Sequence, residues 1–146
     1  MNFYIIFMNL ISLLCEPIIL VSCILLLYKH KYVKFNQIII FSLGFCIVMV
    51  LKKIVKRPRP YITNNIINHS WIKVDNYSSF PSGHTYCAFM LYFILRHNNI
   101  ISNKFIVIPI LIAISRVALN VHYISPFGGD IIGGFIIALI NYKLLL

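Results

Sequence analysis

Five side chains in three short runs, with one acid after them, have the types and order for phosphate chemistry. Lys52 and Arg59 stand in KKIVKRPRP at 52–60, His84 ends PSGH at 81–84, and Arg116 and His122 stand in SRVALNVH at 115–122. Asp130 follows in GGDIIGG at 128–134. Arginine meets phosphate oxygens with a planar fork and lysine as a point charge. Ser82 and Gly83 follow Pro81 at a helix start, where free N–H groups and the helix dipole favour an anion and glycine lets the backbone come close. His84 and His122 exchange protons near neutral pH, and Asp130 could hold one imidazole in a chosen tautomer. Together they suit phosphoryl transfer, with cations on the phosphate, one histidine as nucleophile and the other as acid and base. The chain has three acids, Glu16, Asp75 and Asp130, too few for a Mg²⁺ cage, so neither a metal nor another cofactor is expected.

Each run also has a plainer explanation. The 52–59 cluster could anchor anionic lipid headgroups. Pro81 could merely open a helix, and Arg116 and His122 could be helix-end residues facing headgroups. All three would then have to hold at once.

These residues must be positioned by an unusual chain. Of 146 residues, 60% are hydrophobic and 11% charged, against about 45–50% and about 25% in soluble domains. A soluble domain and a disordered chain are both excluded on that ground. One bilayer crossing takes about 20 residues, so one all-α, polytopic membrane bundle is expected over 1–146, with no room for a second domain. Five spans are expected, at Phe3–Tyr28, Phe35–Leu51, Phe80–Leu95, Phe105–Val121 and Ile131–Leu146. The first carries Glu16 at mid-depth and should be one helix kinked at Pro17. Glu16 is expensive there unless it faces protein. The N-terminus lacks a basic n-region and is read as a retained span.

Five crossings put segment 52–79 and turn 122–130 on one face, with all three motifs at span ends there. The net charge of +10 would suggest nucleic acid in a soluble protein. Here the positive residues lie between apolar runs, so headgroups and an anionic substrate are the expected partners, and nucleic acid is not. If three cations of the motif face serve a substrate, the remaining positive charge favours the opposite face as cytoplasmic. Cys15, Cys23, Cys46 and Cys87 lie in apolar runs without metal-like spacing and are expected to be buried thiols. Trp71 and Tyr77 belong to an interfacial belt or to a lid over the site. Asn68-His69-Ser70 and Asn76-Tyr77-Ser78 are formal glycosylation sequons of the kind that arises by chance in an Asn-rich chain.

Lys52-x6-Arg59-Pro60, Pro81-Ser82-Gly83-His84 and Ser115-Arg116-x5-His122, in this order and each at a span end, resemble the signature of the type 2 phosphatidic acid phosphatase superfamily, the membrane lipid phosphate phosphatases. The resemblance covers roughly residues 40–140. It implies a helical membrane bundle, usually of six helices; the one missing from the count of five would be N-terminal. It implies that His122 attacks phosphorus to form a phosphohistidine, and that His84 protonates the leaving oxygen and then activates water. Lys52, Arg59 and Arg116 would neutralise the phosphoryl oxygens, with Ser82 and the N–H groups around Gly83 as further donors. The family's third motif ends H-x3-D, but here the fourth residue after His122 is Pro126. The simplest reading is a four-residue insertion that leaves Asp130 in the family's place. Ser125 or a backbone carbonyl could orient His122 instead.

The expected function is therefore a metal-independent phosphatase acting on a lipid phosphate or diphosphate, such as phosphatidic acid, phosphatidylglycerol phosphate or polyprenyl diphosphate. A headgroup phosphotransferase needs the same histidine pair. A non-catalytic binder of anionic lipid is the reading suggested by the altered spacing after His122.

Overall fold

A computed structural model of the chain describes residues 2–14, 16–124 and 129–146. Its described elements are helical: α1 Phe3–Leu13, α2 Pro17–Lys29, α3 Phe35–Val55, α4 Pro60–Thr63, α5 Gly83–His97, a 3₁₀ turn Asn103–Ile106, α6 Val107–Ala118 and α7 Asp130–Lys143.

Helix α5 is the axis of the bundle, with α7, α6, α3 and α2 packed around it. Its Tyr86, Cys87, Ala88, Phe89, Met90 and Ile94 are all buried, as expected of a helix covered by neighbours on several sides. Helix α3 shows the opposite pattern. Gln37, Phe41, Gly44 and Val48 form its buried stripe, and the same spacing continues to Lys52 at the helix end. Ile39, Leu43, Ile47, Val50 and Ile54 form an exposed apolar stripe on its other side. A row of exposed large aliphatic side chains is what a lipid-facing helix carries. Among the described residues, the stretch Phe35–Thr63 is long and apolar enough to cross a membrane by itself.

Two glycines set the helix spacing. A Cβ on Gly44 would lie 1.8 Å from Asn141 Nδ2 and 2.3 Å from the Tyr86 hydroxyl oxygen. On Gly134 it would lie 2.4 Å from the Ser82 carbonyl oxygen. These two positions bring α3 and α7 close to α5, and Gly134 does so beside the first turn of α5.

The N-terminal stretch departs from the single kinked span expected of it. α1 and α2 are separate helices, with Glu16 as the N-cap of α2 and Pro17 at its first position. Proline lacks the N–H that would continue α1 but suits a helix start. α1 packs on α6 while α2 packs on α5. The cysteine expectation also needs correcting: Cys87 is buried, but Cys23 and Cys46 are exposed, on the outer faces of α2 and α3. An apolar run in a bundle has a lipid side as well as a core side, so apolar surroundings did not mean burial within the protein. Cys15, Ser125 and Pro126 lie outside the described residues.

Candidate active site

Each motif ends or begins a helix at one end of the bundle. Lys52 lies in the last turn of α3. The chain then reverses through Lys56 in the left-handed region (φ 47°), and Arg59 is the N-cap of α4. His84 is in the first turn of α5, Arg116 in the last turn of α6, and Asp130 opens α7. A cavity of about 250 Å³ collects Glu16, Lys52, Arg59, Gly83, His84, Arg116 and His122. Residues 72–75 and Ser78 wall it from the segment that follows α4.

His122 is buried and held from both ring nitrogens. Its Nδ1 is 3.1 Å from Asp130 Oδ2. Its Nε2 is 3.4 Å from an Arg59 Nη1. A guanidinium has no lone pair to offer, so Nε2 accepts there and Nδ1–H donates to Asp130. Burial pushes the imidazole down from its ordinary value to about 3, the Asp130 hydrogen bond opposing this and the charges of Arg59, Arg116 and Lys52 adding to it. The ring is therefore neutral at neutral pH, with its Nε2 lone pair toward Arg59.

Asp130 is fully buried and anchored by several donors. Besides His122, it accepts from the backbone N–H of Tyr123 at 3.0 Å, from the Ser79 hydroxyl and from Arg57 at 3.2 Å. The Arg57 guanidinium also lies over the Tyr123 ring, 4.2 Å from its centroid. Asp130, eight residues after His122, thus sets a carboxylate on the His122 ring.

The cations are fixed by backbone carbonyls. Arg59 donates to the carbonyls of Asp75 and Ser78 and, at 2.8 Å, to that of Val121. Lys52 donates to the Ser78 carbonyl. Arg116 is fully buried and donates to the Ser12 hydroxyl of α1. Ser78 therefore ties two of the three cations together.

One of the expected phosphate donors, Ser82, stands apart from the others. Ser82 is buried, and its hydroxyl oxygen accepts from the Thr85 N–H and Thr85 hydroxyl as the N-cap of α5. It does not line the cavity; Gly83 does. A serine at a helix start serves the helix first. A Cβ on Gly83 would meet Val48 and Lys52 at 3.8 and 3.9 Å, which is ordinary contact. The rings of Trp71 and Tyr77 are exposed.

Sequence reasoning missed Ser79, Arg57 as a partner of Asp130, Ser12 and the Ser78 carbonyl. Ser79 and Ser78 sit just before the PSGH run, where proximity to a motif is the one available signal. Nothing local marks Ser12, which reaches Arg116 across 104 positions of sequence.

The profile of the PAP2 superfamily matches residues 31–145. Phosphatidylglycerophosphatase B of Bacillus subtilis (strain 168) is 27% identical over 146 residues, covering 92% of this chain and 66% of that relative. The chain thus spans just under two thirds of that relative's length. The crystal structure of the first transmembrane PAP2 type phosphatidylglycerolphosphate phosphatase from Bacillus subtilis matches 99% of this chain and 76% of its own, with a TM-score of 0.76 and 24% sequence identity. That likeness speaks for the fold, and the profile match over most of the sequence speaks for descent: the chain belongs to the PAP2 superfamily.

Proposed function

We propose that the protein is an integral-membrane phosphatase that hydrolyses a lipid phosphate through a phosphohistidine on His122, without a metal. The observation that carries this is the state of His122: Asp130 holds Nδ1, Nε2 offers a lone pair beside Arg59, and His84 shares the cavity. His122 Nε2 attacks phosphorus, and a P–N bond forms as the P–O bond to the lipid breaks. The leaving oxygen takes a proton from His84. Water then attacks phosphorus, gives its proton to His84 and releases inorganic phosphate, leaving His122 free. Lys52, Arg59 and Arg116 neutralise the phosphoryl oxygens throughout, and Gly83 offers its backbone. Preorganised donors of this kind are each worth about 10²–10³ in rate. With the charge met by these side chains, the reaction asks for no divalent ion.

A lipid substrate is supported by an apolar groove of about 360 Å³ between α5, α6 and α7, with Ile110, Ile114, Val117, Ile131 and Phe135 among its walls. Five bundle passes would cross the bilayer, with the site at the non-cytoplasmic face. The similarity to phosphatidylglycerophosphatase B makes phosphatidylglycerol phosphate the first substrate to try.

The test is phosphate release in detergent with EDTA present, from phosphatidylglycerol phosphate, phosphatidic acid and a polyprenyl diphosphate. Release by wild type and none by His122→Ala is expected. Label passing to a second alcohol would indicate a transferase instead. Folded protein that releases no phosphate from any of the three and transfers no label would contradict the proposal.

A further inference from the structure

Glu16 lies at the break between α1 and α2, and its Oε2 is 3.6 Å from His84 Nε2. Both side chains are largely withdrawn from solvent, at 32% and 13% exposure. A carboxylate in the middle of an apolar stretch is costly. The break turns this one into the cavity, against the imidazole.

The other groups around His84 are mostly positive. Lys52 faces it from α3, Arg59 from the segment before α4, and Arg116 and His122 from α6 and the turn after it. Lys73 and Asp75 line the cavity from the segment after α4, where both are exposed. α7 brings Asp130, which is engaged with His122, Ser79, Arg57 and Tyr123. α2 and the 3₁₀ turn also pack on α5; their charged residues, Lys29 and Lys104, sit in the last turns of those elements. Lys52, Arg59 and Arg116 surround His84 with positive charge, yet a general acid must carry a proton to the leaving oxygen. Glu16 is the acid placed to oppose them.

We infer that Glu16 is a positioning residue for His84, holding its imidazole in the proton-bearing form that serves the leaving oxygen. The inference rests on the phosphatase reading above. The proton passes from His84 to the lipid alkoxide as the P–O bond breaks, and His84 recovers it from the water that cleaves the phosphohistidine. Glu16 neither gains nor loses a proton over the cycle.

The experiment compares leaving groups in single-turnover reactions of the full chain. Phosphatidylglycerol phosphate releases an alcohol that needs a proton. p-Nitrophenyl phosphate releases a phenolate that does not. Glu16→Gln keeps shape and removes charge; it should slow lipid release by about 10²-fold, at the low end of what general acids contribute, and leave nitrophenol release unchanged. Glu16→Asp, which keeps the charge one methylene further back, should recover part of the lipid rate and guards against a Gln variant that does not fold. Equal slowing of both substrates, or of neither, would overturn the role of Glu16. Wild-type protein that turns over neither ester would overturn the phosphatase reading itself.

Discussion

In the proposed reaction His122 carries the chemistry in one ring. The Asp130 carboxylate on Nδ1 would do for this imidazole what the acid of a Ser-His-Asp triad does for its own. Asp130→Asn keeps the shape but lets the ring turn or change tautomer, so kcat should fall by on the order of 10⁴ with KM little changed. Steady-state kinetics on the lipid substrate checks this. The same ring makes stability depend on pH. Folding holds the imidazole at about 3, whereas the unfolded chain titrates near its ordinary value of about 6.5. Between those values the unfolded chain takes up a proton that the folded one does not, so stability should decline as pH falls from about 6.5 toward about 3. Thermal melts in detergent over that range should show the decline, and His122→Asn should flatten it.

At the scale of elements, the site depends on how closely α7 approaches α5. Gly134→Ala would put a methyl group 2.4 Å from the Ser82 carbonyl, and overpacking of this kind costs about 1–3 kcal/mol. It should lower the melting temperature and displace the turn carrying His84. Gly83→Ala meets its neighbours only at 3.8 Å or more and should melt like wild type, although Gly83 is the glycine inside the motif. The contrast separates a glycine needed for packing from one whose backbone lines the site. α1 is a second brace. Asn9 donates to the His69 carbonyl at 2.8 Å and accepts from the Trp71 N–H at 2.7 Å, tying down the segment that walls the cavity. Asn9→Ala should therefore increase proteolytic cleavage within 64–80 while leaving the rest of the bundle resistant.

For the molecule as a whole, the exposed apolar stripes are the surface that lipid must cover. Ile47→Lys on the outer face of α3 should cost about 2.5–3.5 kcal/mol in membrane insertion, as charged residues do at a helix centre, and should reduce the membrane-bound fraction. Much of this architecture was legible in the sequence. Composition excluded a soluble domain, the apolar runs marked the helices, and the three motifs at run ends foretold one shared cavity. Asp130 could be nominated because the chain has so few acids. What remained hidden depended on contacts between distant elements. That Glu16 meets His84 requires α1 and α2 to be separate helices, which periodicity cannot show inside one apolar run. The burial of Ser82 follows from helix capping outweighing its place in a motif. The ties of Ser79 and Arg57 to Asp130 follow from the turn after α3, where Lys56 takes a left-handed conformation that its residue type does not announce.

In the proposed reaction the phosphoryl group passes through His122. The most direct measurement is trapping of labelled protein after brief exposure to ³²P-labelled lipid phosphate, using His84→Ala to slow hydrolysis of the intermediate. Acid-labile, base-stable label that maps to the peptide holding His122, and its absence in His122→Ala, is the predicted result. Substrate turned over with no label on the protein, or label on another residue, would contradict it.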